Sequence, residues 1–456
     1  MNLPLNGRIA IIDDQIDQAE PLMKILSRRQ LPFTYFSGEV KYLPSEDENL
    51  NDIRILFLDI NLIDNSEHSN KTLKAKLLPV LNRVISKDNY PYVIVYWSRH
   101  EHHKSLIEEE IFNNELENRK PIAYLSAVKS DFFNFDGTET DDFKENIKTL
   151  FDKIDTLINE LPAYSYLLQW ENKVHWSTDK TLQEIFSSYH SLNDWSNNSN
   201  YIIDKLGKAF LGKHYDDNTP EDKIRASFIS FNSVFKDTLE NHIYSSNITN
   251  PVELKYDSSR VESKIQEINE KLNLSRDIFS ICESGNVVVF GDSDDLFGKL
   301  LNRIISFFRL KNLLKEEHKD IQDVELKKLA SNEHRKIKKE IKKEWIKIAT
   351  VVTPICDYAQ KENKIYDRIV KGVLIPSKYQ KYIEDKSEAV YVLPITFNHN
   401  DIEYCMILDF RYFVTSDLTS ENVTGLFRIR QELLAEIQSK LARHINRQGI
   451  LFLDER

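Results

Sequence analysis

The sequence predicts an α/β protein: a five-stranded, doubly wound parallel sheet, then a mainly helical region, then a small β-rich α+β module closed by a helix. Three observations carry this reading. Short apolar runs alternate with amphipathic stretches over residues 1–160, strand-like runs nearly vanish over 161–345, and they return over 346–456. Continuous apolar runs of this length suit strands covered on both faces, and their alternation with helical stretches is the pattern of parallel βα units.

The first five runs are "RIAII" (8–12), "FTYF" (33–36), "IRILFLDI" (53–60), "YVIVYW" (92–97) and "IAYLSAV" (122–128). Between the first two, "AEPLMKILSRR" (19–29) reads as a helix. "DDFKENIKTLFDKIDTLINE" (141–160) sets Phe143, Ile147, Leu150, Ile154 and Leu157 on one helical face, and Pro162 is expected to stop that helix. In the middle region "NTPEDK" (218–223) is a helix start, with a Thr cap, a Pro in the first turn and two acids. Ile224, Phe228, Phe231, Phe235, Leu239 and Ile243 follow as a stripe expected to face the core. "NVVVFGD" (286–292) is the one clear strand there. Further strands are expected at "IKIATVV" (346–352), "RIVKGVLIP" (368–376), "AVYVLPITF" (389–397) and "EYCMILDFRYFV" (403–414). Leu426, Ile429, Leu433, Ile437, Leu441 and Ile445 then predict a helix within 426–449, capped by Gly449.

Bulk properties bound the function. A chain of 456 residues suggests about two or three domains, drawn here at 1–160, 161–345 and 346–456. A net charge of −11 argues against general affinity for nucleic acid. Cys282, Cys356 and Cys405 lie far apart, which argues against a disulfide framework or a zinc site and fits a reducing cytosol. No signal peptide and no apolar run of bilayer length is visible, so a cytoplasmic protein without a membrane partner is expected.

Ligands of an open parallel sheet sit beyond the carboxyl ends of its strands. The first run ends in Asp13 and Asp14, the third near Asp59, the fourth at Ser98 and the fifth at Lys129. Three carboxylates in one pocket repel unless a hard cation neutralises them, and Mg²⁺ is satisfied by two or three carboxylates plus water. Beside such a cation Asp59 is placed to act as a nucleophile and form an acyl phosphate. Ser98 would donate a hydrogen bond to a phosphoryl oxygen, and Lys129 would pair with another.

With "RIAIIDD" (8–14), "IRILFLDIN" (53–61), "YVIVYWS" (92–98) and "IAYLSAVK" (122–129), roughly the first third of the chain resembles the receiver domain of two-component response regulators. The resemblance implies a flavodoxin-like fold, Mg²⁺ at the acid pair, and phosphotransfer from a histidine kinase to Asp59. Asn61 matches the residue whose backbone carbonyl completes the metal site. Several positions depart from the family pattern. The Asp59–Ser98 and Ser98–Lys129 separations are long, and Ile63 and Ser130 stand where prolines are usual. Arg99 replaces a small residue, where it would either obstruct access or add a phosphate contact. Ser126 replaces the switching aromatic, and the segment before "IRILFLDI" is short and polar for a second helix.

Weaker signals have ordinary explanations. His100, His102 and His103 fall in a loop without a further ligand, and "HRKIKKEIKKEWIK" (334–347) reads first as a solvated basic helix face. Cys356 reads as core, and "GDSDDLFG" (291–298) as a loop with a helix cap. The expected function is a phosphoryl-accepting signalling protein, with no enzymatic activity beyond phosphorylation and dephosphorylation of its own aspartate. An atypical receiver fused to a large additional region also loosely resembles receiver proteins of Detocs-type anti-phage cassettes. That implies a phosphate-sink or regulatory role and, as partners, a second receiver or effector protein; a homodimer is compatible. The alternative is a degenerate receiver serving as an interaction module, with the C-terminal region binding nucleic acid through 334–347 or binding another protein. An enzyme in the C-terminal region is a third reading, without a visible acid/base or nucleophile set.

Overall fold

The apolar runs form strands wherever both faces are covered. In this computed structural model the described residues are 3, 8–45, 52–64, 66–99, 101–134, 138–187, 194–212, 215–261, 265–276, 283–290, 300–302, 304–318, 322–358, 366–384, 387–418 and 423–446. Residue contacts divide the chain into two units, Met1–Gly207 with Ile224–Tyr256, and Lys208–Lys223 with Asp257–Arg456.

In the first unit, β1 (Ile9–Ile12), β2 (Phe33–Phe36), β3 (Ile55–Leu58), β4 (Val93–Ser98) and β5 (Ala123–Val128) make a parallel sheet of order β2-β1-β3-β4-β5. Registers are direct: Ile12 opposes both Phe36 and Leu58, and Leu58 opposes Tyr96. β1, β3 and β4 are buried along their whole length, which is why they read as unbroken apolar runs. One face packs on α1 (Ile16–Arg28) and α3 (Phe143–Glu160), the other on α2 (Asn70–Val84) and a π-helix at Leu106–Glu115. Between β2 and β3 the described residues hold a single 3₁₀ turn, Val40–Tyr42.

Pro162 does not simply end α3. It opens α4 (Pro162–Phe186) one residue later, because the first turn of a helix needs no N–H from that position. α4 is fastened to the edge of the sheet where β1 and β3 begin. Tyr164 and Leu168 join the core beneath α3. Tyr164 Oη donates to the Arg54 carbonyl (2.6 Å), Glu171 takes both Arg54 (3.0 and 3.1 Å) and Arg8 (3.0 Å), and Arg8 donates to His175 Nε2 (2.9 Å). α5 (Trp195–Leu211) and α6 (Pro220–Ser245) follow. The Thr219 cap is present, its Oγ1 accepting from Asp222 N (3.2 Å). The aromatic stripe of α6 departs from expectation: Ile224 and Phe228 are exposed, and Phe231, Phe235, Leu239 and Ile243 are half-buried. The fully buried positions are Ala226 and Ser227, where small side chains allow close approach and Ser227 Oγ donates to the Ile203 carbonyl (2.7 Å).

The second unit is built on a seven-stranded sheet. Its strands are β6 (Leu274–Ser275), β7 (Asn286–Val289), β8 (Ile346–Val351), β9 (Asp367–Pro376), β10 (Val390–His399), β11 (Ile402–Ser416) and β12 (Thr424–Ile429), in the order β10-β11-β9-β8-β7-β12-β6, with antiparallel pairing. α7 (Ile265–Asn273) precedes β6, while α8 (Phe307–Glu317) and α9 (Asp323–Glu344) cover one face and α10 (Gln431–Ile445) the other. The expected closing helix therefore starts later than its stripe suggested. Leu426 and Ile429 belong to β12, where Phe427 and Ile429 alternate inward at strand period, and only Leu433, Ile437 and Leu441 continue as a buried helical face. Gly449, Cys282 and residues 291–298 lie outside the described residues, as does the side chain of Cys356. Cys405 is buried in the core beneath α8 and α9, and burial, with Glu403 nearby, pushes its thiol up to about 11.

Gly372 allows β9 and β11 to approach closely, since a Cβ there would lie 2.3 Å from the Ile407 carbonyl oxygen. Gly372→Ala is expected to destabilise the protein by about 1–3 kcal/mol, as overpacking of a filled site does; urea unfolding followed by circular dichroism measures it.

Candidate phosphoacceptor and metal site

Main-chain hydrogen bonds carry the ladder one residue past the strands. Asp13 N donates to the Phe36 carbonyl (3.1 Å) and Asp59 N to the Ile12 carbonyl (2.8 Å), which sets Asp13 and Asp59 side by side at the C-terminal edge. Ser98 is the last residue of β4, and Lys129 directly follows β5. The sheet order thus brings together the acids, the hydroxyl and the ammonium that the strand-end reading singled out.

Lys129 is the centre of the cluster. Its ammonium is buried, 2.7 Å from Asp13 Oδ2, in contact with Asp59 Oδ2, and 3.3 Å from Gln18 Oε1. Ser98 Oγ donates to Asp59 Oδ1 (2.7 Å), which also accepts from Asn61 N (3.1 Å). Gln15 N donates to Asp13 Oδ1 (3.0 Å). Asn61 fastens the loop after β3 through Nδ2 to the Ser66 carbonyl (2.8 Å). Gln18, in the first turn of α1, was not singled out in the sequence, because a glutamine on an amphipathic helix carries no local signal.

The electrostatics are those of a crowded acid site. Burial, with the charge of Asp59 added and Lys129 opposing, pushes Asp13 up to about 7 from 3.8. Asp14 is raised for the same leading reason, burial, followed by Asp59. Burial alone would lower Lys129, but Asp59 and Asp13 outweigh it and hold the ammonium above its ordinary value.

One carboxylate oxygen from each of Asp13, Asp14 and Asp59 lies within 4.8 Å of the other two. Asp14 Oδ1 is buried and has no hydrogen-bond partner among the described residues. An orphaned carboxylate oxygen beside two further carboxylates fits a hard divalent cation such as Mg²⁺, whose ligands are oxygens. Among the described residues this is the one group of three acids, histidines or cysteines so arranged. His103 instead holds Asn70 Oδ1 through Nδ1 (2.7 Å), its ring lying 4.0 Å from that of His102, and His100 lies outside the described residues.

The atypical positions have visible surroundings. Arg99 donates to the carbonyls of Asn134 (2.8 Å) and Phe133 (3.3 Å), bridging the loops after β4 and β5. Ser126 sits opposite Tyr96 in the register. On that face the aromatic comes from Tyr124, stacked on Tyr96 at 5.7 Å and 9°, while Tyr96 Oη donates to Glu108 Oε1 of the π-helix (3.1 Å). Residues 334–344 form the end of α9, and the strand β8 begins at Ile346.

Compared with known protein families and with curated proteins, the chain returns no match to either. What stands is the class defined by fold and site: a five-stranded parallel α/β domain, compatible with a receiver, whose C-terminal edge holds a buried acidic cluster able to bind a metal ion. No helix among the described residues is long and apolar enough to cross a membrane.

Because Asp13 titrates higher in the folded protein than in the unfolded chain, its contribution to stability is full below about pH 4 and is lost as pH rises through about 7. In metal-free buffer the melting temperature is expected to fall across that window. Asp13→Asn should flatten the fall and raise the midpoint above neutrality by roughly 2–4 °C for each kcal/mol relieved. An equally steep fall in the variant would assign the dependence to other groups.

Proposed function

We propose that this protein is a two-component receiver that accepts a phosphoryl group on Asp59 from a partner histidine kinase. The observation that supports it most is the pairing of the Ser98 hydroxyl and the Lys129 ammonium with the two oxygens of Asp59, beside Asp13 and Asp14. Asp13, Asp14 and Asp59, with the Asn61 carbonyl, would hold Mg²⁺, which when bound supplies positive charge against the incoming phosphoryl oxygens. A carboxylate oxygen of Asp59 attacks phosphorus; the P–N bond of the donor phosphohistidine breaks as the P–O bond forms, and the released imidazole takes up a proton from solvent. Ser98 and Lys129 then transfer their hydrogen bonds from the carboxylate to the new phosphoryl oxygens. Ser98 ends the strand that carries Tyr96, so its shift would reach Tyr124 and the π-helix through the stacked rings and Glu108. The large second unit makes a phosphate-sink or regulatory component of an anti-phage cassette the pathway reading we favour, with a second receiver or effector as its partner.

The test is intact mass and thermal stability with Mg²⁺, with and without acetyl phosphate or beryllofluoride. Wild type is expected to gain a phosphoryl-sized mass and to melt higher with beryllofluoride, and Asp59→Ala to do neither. Identical behaviour of the two proteins would reject the assignment. Lys129→Met is expected to slow phosphorylation about 10²-fold, the usual loss on removing one donor aimed at developing charge.

A further inference from the structure

α9 separates its charges as well as its polarity. Leu326, Ala330, Ile337 and Ile341 are buried, which fixes the rotation of the helix. With 3.6 residues per turn, Lys328, Arg335, Lys339 and Lys342 then align on the side opposite the core, flanked by Lys338 and Lys343. The carboxylates of the same half, Glu333, Glu340 and Glu344, fall together on one margin of the buried side. There Glu333 lies 3.8 Å from Lys336, and Glu344 takes the Lys378 ammonium and the Tyr379 hydroxyl (3.2 Å). The outward arc from Arg335 to Lys343 is therefore cationic without interruption over a rise of about 12 Å.

An aromatic ring borders the opposite margin. Lys338 Nζ donates to Asn302 Oδ1 (2.7 Å), and the Phe307 ring meets His334 edge-on at 6.0 Å, so Asn302 and Phe307 lie beside that margin. Phe308, next in the chain, is 77% exposed. The cations also crowd one another: Lys338 is lowered by burial first and then by Arg335 and Lys342.

We propose that the outward face of α9, with Phe308 at its margin, binds single-stranded nucleic acid, the cations pairing with backbone phosphates and the Phe308 ring stacking on a base. Cationic tracks bordered by exposed aromatics bind single strands in this way. A lipid surface fits less well, because the apolar side of α9 is already buried in the protein core and cannot insert. An acidic peptide would use the cations and leave the ring without a role. The net charge of −11 does not oppose this binding, since the unit holding the acid cluster carries the whole negative excess and the unit holding α9 is balanced. The proposal does not depend on the phosphoryl reading of Asp59.

The experiment is fluorescence anisotropy on the full chain with labelled single-stranded DNA and RNA of about 20 nucleotides, alongside polyglutamate and phosphatidylserine vesicles. Binding to the single strands is expected, weakening about 20-fold between about 50 and 200 mM salt, the slope for three neutralised phosphates. The DNA and RNA arms identify which source the shared backbone chemistry comes from. The Arg335→Glu, Lys339→Glu, Lys342→Glu triple variant should lose the binding, and Phe308→Ala should weaken it about tenfold. Lys24→Glu, Lys205→Glu, Lys236→Glu, the same charge change in the other unit, should leave it intact. Circular dichroism and melting confirm that each variant is folded, and glutamine replaces glutamate at the three α9 positions if the triple variant is not. Salt-insensitive or absent binding, binding unchanged in the folded triple variant, or tighter binding to polyglutamate or vesicles would overturn the proposal.

Discussion

The first unit depends on one buried ammonium. Lys129 reaches from the edge strand across to Asp13 and Asp59, so three separate strand ends meet at a single positive charge. Without it, two carboxylates would face each other out of water; without the carboxylates, an ammonium would be stranded in the interior. The C-terminal edge of the sheet is therefore held by mutual compensation of charge, while its faces are held by apolar contact. Ser98 ties β4 to the same cluster through Asp59.

Much of this was legible in the sequence, for physical reasons. Strands covered on both faces have no polar alternation, so "IRILFLDI" and "YVIVYW" stand out as unbroken runs. Parallel topology then makes the residue after each run a neighbour of the others, and Asp13, Asp14, Asp59, Ser98 and Lys129 followed from that rule alone. The parts that were not legible lack a local signature. Gln18 matters because a helix rotation aims it at Lys129, and Tyr124 because it stacks diagonally on Tyr96 although the register sets it opposite Ile94.

The second unit shows where periodicity misleads. Leu426 and Ile429 sit at helical spacing ahead of Leu433, but pairing with β7 decided for the strand. The stripe on α6 had the opposite fate. Its helical conformation is as expected, yet the fully buried positions are Ala226 and Ser227, with Ser227 Oγ donating to the Ile203 carbonyl of α5. The basic run of 334–347 was visible as composition, whereas its sidedness depends on knowing that Ile337 and Ile341 point inward.

The fastening of α4 to the start of β1 and β3 bears on how this protein can be cut. Arg8 and Arg54 at the amino ends of the sheet both lean on Glu171, and Tyr164 and Leu168 complete the apolar layer under α3. A fragment stopping at Glu160 would bare that layer and leave two guanidinium groups without their carboxylate. The acid-bearing sheet and the helix that follows it are thus one inheritable piece: recombination that swaps the downstream region has to cross beyond α4, and whatever is spliced there is joined through a helix already bolted to the strands that carry Asp13 and Asp59.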